Sequence, residues 1–286
     1  MANKVGRLGG TEVHTEQKRG KRLLPFLKWA GGKRWLADQY PDIFVSDFDR
    51  YVEPFVGGGA VFFAVNPPNA LLSDANRELI ECYEVVRDQP DELVRLLRMH
   101  QTMHSRTHYY HMRSTMPLYR TERAARFLYL NRTCFNGLYR VNLKGEFNVP
   151  IGTKTAVLLP TDDFLAASES LRNVTLRAND FEPTLDQCGE GDFVYLDPPY
   201  TANHNNNGFL KYNEKIFSWS DQVRLKAAAS AAADRGARVV VSNAAHASVI
   251  ELYRGHAEII IVSRLSVLAA DRSKRGEVQE ILAVMG

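Results

Sequence analysis

The run Asp192–Leu196 is apolar after its first residue and ends abruptly at Asp197-Pro198-Pro199-Tyr200. A strand with one wet face would alternate, so an uninterrupted apolar run reads as a strand covered on both faces. Neither proline can donate to a sheet ladder, which stops the strand there. The same figure recurs along the chain. Arg50–Glu53 ends at Pro54-Phe55-Val56-Gly57-Gly58-Gly59, Ala70–Leu72 runs into Asp74, Val174–Arg177 meets Asn179-Asp180-Phe181, and Arg238–Val241 stops at Ser242-Asn243. Helical stretches lie between them: Ala60–Val65, Asn76–Val86 with Leu79, Ile80, Tyr83 and Val86 on one face, and the Ala-rich Gln222–Arg235. Ile259–Val262 and Ile281–Val284 are predicted late strands. Strands alternating with helices predict a parallel α/β sheet covered on both faces. In such sheets ligands gather beyond the carboxyl ends of the strands.

Composition narrows the class. The chain has 286 residues, 45% hydrophobic, with a formal charge of +3, which excludes intrinsic disorder. The length accommodates one large domain or a core with an inserted module. Three cysteines without a CxxC exclude a disulfide scaffold and a cysteine zinc site, and the chain reads as cytosolic and reduced. No apolar run approaches the roughly 18 residues of a membrane span. Residues 1–22 carry Lys4, Arg7, Lys18, Arg19, Lys21 and Arg22 without an apolar core, so they are not read as a signal peptide but as a solvated tail or a basic arm.

The small net charge hides an asymmetry. Between Arg95 and Glu146 ten Lys or Arg residues stand against Glu122 and Glu146 alone, and nine of the ten are arginine. Tyr109, Tyr110, Tyr119, Tyr129, Phe135 and Tyr139 are interleaved with them. A basic, aromatic-laced segment suits nucleic acid, although a solvated helical face has the same composition. Leu93–Tyr110 and Glu122–Asn131 read as helices there, and Gly137–Val149 as a hairpin turning at Lys144-Gly145. The strand–helix rhythm stops in this segment, so it is read as an insertion. His104, His108 and His111 allow a metal cluster or a DNA-facing helix surface.

The strand ends indicate chemistry. Glycines after a strand let backbone approach a ligand closely, and Gly57-Gly58-Gly59 matches neither GxGxxG nor a P-loop, which favours a nucleotide-like ligand without a polyphosphate. Asp74 is placed to take ribose hydroxyls or to cap the next helix. At Asp197-Pro198-Pro199-Tyr200 the prolines remove two donors, leaving carbonyls and a carboxylate as acceptors for an amino group, with Tyr200 as a flat face for a planar base.

Taken together, these motifs resemble a known family. Phe26-Leu-Lys-Trp-Ala-Gly-Gly-Lys33, Val52-Glu-Pro-Phe-Val-Gly-Gly-Gly-Ala60, Asp74-Ala-Asn76, Asn136-Gly-Leu-Tyr-Arg140, Gly145-Glu-Phe-Asn-Val-Pro150 and Asp197-Pro-Pro-Tyr200 are similar to those of Dam-type DNA adenine methyltransferases, close to the Dam and DpnII-like GATC methylases. The resemblance implies a Rossmann-like α/β methyltransferase sheet with an inserted, mainly helical target-recognition domain. It implies S-adenosylmethionine as methyl donor and double-stranded DNA as partner, with no metal and no membrane, for a monomer. The corresponding boundaries are 23–88 and 151–286 for the catalytic domain and 89–150 for the insert.

By the same resemblance Trp29, Lys33, Glu53, Phe55, Gly57, Gly59, Asp74, Asp180, Phe181 and Asp197 hold the donor. Asp197, Pro198, Pro199 and Tyr200 hold the target base. Lys28, Arg132, Asn136, Leu138, Arg140, Asn148 and Pro150 meet DNA, with Arg140 and Lys28 reading guanines and Pro150 packing on a thymine methyl. The stretch Leu265–Arg275 departs from the family pattern. Carbon-5 cytosine methylation calls for a thiol nucleophile, usually in a Pro-Cys pair, and none of the three cysteines follows a proline. Amino-methylation of another base, of RNA adenine or of a glutamine amide, and a catalytically silent DNA-binding regulator, remain as alternatives.

Overall fold

The computed structural model describes residues 23–44, 47–142, 145–201, 217–265 and 277–286. The basic tail, Lys144 at the expected hairpin tip and residues 266–275 of the atypical loop lie outside them. Seven strands form one sheet: β1 (Arg50–Glu53), β2 (Ala70–Asp74), β3 (Val174–Ala178), β4 (Asp192–Leu196), β5 (Arg238–Ala244), β6 (Glu258–Leu265) and β7 (Glu277–Met285). Their order is β3-β2-β1-β4-β5-β7-β6. Among the described residues the helices are α1 (Arg34–Gln39), α2 (Ala60–Val65), α3 (Arg77–Asp88), α4 (Pro90–Met103), α5 (Arg106–Ser114), α6 (Arg120–Thr133), α7 (Phe164–Leu171), α8 (Phe181–Leu185), α9 (Trp219–Asp234) and α10 (Ala247–Tyr253). None of them is long and apolar enough to cross a membrane.

The chain divides into two compact units. One holds the described residues of 47–55 and 180–286. Here β4 pairs in parallel with β1 and β5, and all five of its residues are buried, as an apolar run between two neighbours requires. The sheet is not parallel throughout: β7 runs antiparallel to both β5 and β6. Helix α9 starts at a capping box, in which the Ser218 hydroxyl accepts from the Asp221 backbone while the Asp221 carboxylate accepts from the Ser218 N–H.

The other unit holds the described residues of 23–44 and 56–179, so the basic segment packs with α1–α3, α7 and the parallel pair β2–β3. The predicted face of α3 is buried, with Leu79, Ile80, Tyr83 and Val86 in the core. The single helix expected over Leu93–Tyr110 is two. The Ser105 hydroxyl accepts from the His108 N–H and starts α5 afresh. Helix α6 is buried continuously from Ala124 to Thr133, which makes it a core helix rather than a solvated face. Its arginines meet α3 in a row: Arg126–Glu78 at 3.7 Å, Arg123–Glu81 at 2.6 Å and Arg120–Glu84 at 2.8 Å.

Candidate functional site

In the unit built on α3 and α6, the strand end at β2 carries an acid under load. Asp74 accepts the N–H of Asn76 at 2.9 Å and of Gly57 at 3.1 Å. Burial of its carboxyl outweighs these two bonds and pushes its pKa up to about 6. A ligand offering hydroxyl donors would relieve that desolvation, so the acid fits a ribose diol. The Gly57 backbone is fixed from three sides, since its carbonyl also accepts from the Tyr83 hydroxyl at 3.0 Å and the preceding Val56 N–H bonds the Ser73 carbonyl.

The glycines themselves have a second explanation. Gly57 lies at φ +47°, and a Cβ there would stand 2.7 Å from Cδ1 of Trp29. At Gly59 (φ +66°) it would stand 2.6 Å from the Tyr83 hydroxyl. The protein's own rings demand glycine at these positions, independently of any ligand. Trp29 therefore lies against the loop. Lys33 is buried, with its ammonium donating to the Gly31 carbonyl at 2.9 Å.

The other unit carries the Asp197–Tyr200 turn and a set of carboxylates. Glu53 is buried and accepts from the Tyr51 hydroxyl at 2.9 Å. Glu53 and Asp197 both hold the Tyr51 phenol well above its usual range, after desolvation, and Asp197, Glu53 and Glu280 act likewise on Tyr195. The ends of β1 and β4 are thus rich in negative charge. At the turn after β4, Tyr200 donates to Glu280 at 2.9 Å, and Gln222 donates to the Pro199 carbonyl at 3.2 Å. The Pro199 carbonyl therefore already holds one donor within the protein. No donor among the described residues takes the Pro198 carbonyl.

Phe181 also differs from expectation. Its ring is 3% exposed, 5.5 Å from the Phe55 ring and under the Arg224 guanidinium at 4.9 Å. Phe181 is a core ring, and Phe55 is the more exposed of the two. Asp180 caps α8 through the Glu182 N–H and pairs with Arg224 at 3.0 Å.

The expected DNA-reading residues divide into two groups. Asn136 is exposed in the left-handed region (φ +56°), followed by Gly137, with Leu138 and Arg140 half-buried. Arg140 donates through Nε to Asn148 Oδ1 at 2.8 Å, and Asn148 N–H returns a bond to the Arg140 carbonyl, so the two expected readers brace each other across the hairpin. The Val141–Phe147 bridge is the observed part of that hairpin. Pro150 is exposed, and so is Phe135, a neighbour of Asn136 that the sequence reading counted only as an aromatic of the segment.

Arg132 is the correction. It is 1% exposed, ion-paired to Asp162 at 2.6 Å and bonded to the Phe26 carbonyl at 2.7 Å, so its guanidinium faces the protein interior and not a partner. The next residue back, Asn131, clasps Lys28 by accepting its N–H at 2.9 Å and donating to its carbonyl at 2.8 Å. Lys28 is thereby fixed, with its side chain lying where a Cβ on Gly137 would sit.

The surplus of arginines is partly spent inside the protein. Arg95, Arg120, Arg123, Arg126 and Arg132 all pair with acids. The histidines pack around Tyr129: His100 Nδ1 lies 2.9 Å from His108 Nε2, and His104 Nδ1 lies 3.0 Å from the Tyr129 hydroxyl.

Comparison with known proteins gives a consistent picture. Residues 29–268 match the family model described as D12 class N6 adenine-specific DNA methyltransferase. The Type II methyltransferase M1.LlaDCHI of Lactococcus lactis subsp. cremoris is 37% identical over 275 residues, covering 93% of this chain and 96% of that one. The Type II methyltransferase M.MjaIII of Methanocaldococcus jannaschii is 33% identical, covering 88% of this chain and 96% of that one. The DNA adenine methylase of Serratia marcescens is 34% identical, covering 92% and 99%.

Proposed function

The chain belongs to the D12 class of N6 adenine-specific DNA methyltransferases, and on that premise we propose that it methylates the adenine of GATC in double-stranded DNA by flipping the base. S-Adenosylmethionine is the donor implied by the family, and it supplies a methyl group on a sulfonium sulfur. The observation that carries the reading is the Asp197–Tyr200 turn, where a carboxylate and the Pro198 carbonyl stand as acceptors beside an aromatic ring whose hydroxyl is tied down.

The amino group of adenine is out of reach inside a duplex, so the base leaves the stack at a cost of a few kcal/mol. Stacking on Tyr200, worth roughly 1–3 kcal/mol, offsets part of that cost. Asp197 and the Pro198 carbonyl accept the two amino hydrogens. This draws the nitrogen lone pair out of conjugation with the ring and leaves it nucleophilic. Asp74 takes the donor ribose, with Trp29 against the same loop. Asp180 and Phe55 take the donor's adenine, and the carboxylates around Tyr51 and Tyr195 favour a cationic sulfonium. Arg140, braced by Asn148, reads a guanine edge through its terminal nitrogens, and Lys28, Asn136, Leu138 and Pro150 complete the contact. We place the chain on DNA in the cytoplasm, acting as a monomer.

The test is the methylation pattern of DNA from cells that lack adenine methylation and express the chain. N6-methyladenine confined to GATC is expected. Methylation at another motif overturns the specificity. Binding of labelled S-adenosylmethionine without any DNA methylation points instead to a silent regulator.

A further inference from the structure

Tyr139 stands between two of the proposed readers, Leu138 and Arg140, yet its ring is turned toward the donor loop. It stacks on Trp29 with centroids 5.4 Å apart and planes 23° from parallel, and it lies 5.2 Å from Phe127 and 5.7 Å from Phe147. Trp29 in turn fills the space over Gly57. One side chain therefore touches the tryptophan that lies over the glycine loop, and that loop is tied to Asp74 through the Gly57 N–H. Its backbone continues directly into Arg140, which is fixed to Asn148.

Building on the function proposed above, we propose that Tyr139 is a positioning residue that couples donor binding to base reading. A donor seated against Asp74 and Gly57 orders Trp29, and Tyr139 passes that order to the Leu138–Arg140 segment. Because coupling between two ligands is reciprocal, donor and duplex tighten each other's binding by the same factor.

The test measures that factor by titration calorimetry with the full chain. S-Adenosylhomocysteine is titrated with and without a GATC duplex, and the duplex with and without S-adenosylhomocysteine. Wild-type protein is expected to show at least about fivefold mutual tightening. Tyr139→Leu is expected to bind each ligand alone within a few-fold of wild type while its coupling factor falls close to one. A merely structural role would weaken both ligands and leave their ratio unchanged. Tyr139→Phe keeps the stack on Trp29 and is expected to keep the wild-type coupling; where the leucine variant does not fold, Tyr139→Met takes its place with the same expected loss. Coupling that is absent in wild type, intact in Tyr139→Leu or Tyr139→Met, or lost in Tyr139→Phe, overturns the proposal. A wild type that binds neither ligand fails the functional reading itself, which separates the two.

Discussion

The Tyr200 hydroxyl donates a 2.9 Å hydrogen bond to Oε2 of Glu280, and the other oxygen of that carboxylate accepts from Arg264 Nε at 3.0 Å. Glu280 is 1% exposed, so this charge-assisted chain is shielded from water. It fixes the Tyr200 ring, on which we propose that the flipped base stacks. Glu280→Gln should reduce methyl transfer by roughly 10- to 100-fold, the scale of one hydrogen bond to a charged group. In a Tyr200→Phe background the same change should add little, because the hydroxyl it serves is gone. Single-turnover rates of the four proteins check this, and equal effects in both backgrounds would contradict it.

Asp74 carries a pH dependence of definite sign. Its folded-state pKa is raised by desolvation to about 6, above its ordinary value of 3.8. The neutral acid is thus favoured in the ligand-free fold, and its stability contribution is lost as pH rises from about 4 to about 6. Ribose hydroxyls bond more strongly to the ionised carboxylate than to the neutral acid, so donor affinity should weaken as pH falls below about 6. Calorimetric binding of S-adenosylhomocysteine between pH 5 and pH 8 reads the effect, and Asp74→Asn should give a weaker, flat profile. A wild-type affinity independent of pH would remove Asp74 from the donor site.

Asp197→Ala tests the acceptor pair. Loss of the carboxylate should abolish detectable methyl transfer while leaving the thermal transition close to that of wild type. A variant that retained more than a few per cent of the activity would place the acceptor elsewhere.

Arg140 and Arg132 should behave oppositely, although the sequence suggested the same role for both. Arg140→Ala should lose about 1–3 kcal/mol of discrimination at one base pair, read as relaxed cleavage-protection or methylation at near-cognate sites. Arg132→Ala strands Asp162 and leaves the Val157 and Phe26 carbonyls without their donor, so it should cost about 3–5 kcal/mol of stability by urea unfolding, with sequence preference unchanged in the fraction that folds.

That contrast marks where sequence reading reached its limit. Every predicted strand is present, and for β4 and β5, which lie buried between neighbours, that burial dictates the apolar run directly. The prolines of Asp197–Tyr200 and the glycines after β1 were legible for the same local reason. Arg132 was not, because nothing in its neighbourhood reveals an Asp162 partner thirty residues further along the chain. Glu280 and Gln222, which hold Tyr200 and Pro199, lie 80 and 23 residues from the groups they fix. The antiparallel setting of β7 also escaped, since an apolar run carries no direction. Charge counting overestimated the cations available to DNA for a related reason: acids on α3 had already claimed several of them.

Those acids have a consequence for how such proteins can be recombined. Glu78, Glu81 and Glu84 step along α3 while Arg126, Arg123 and Arg120 step backward along α6. A segment grafted from a relative with new base contacts would import its own α6 into this row. With the donor's α3 left behind, cations would meet unmatched side chains, or acids would be left facing each other. The exchangeable cassette therefore begins at Arg77 rather than at the first residue of the basic stretch, and chimaeras joined upstream of α3 should fold where those joined after it do not.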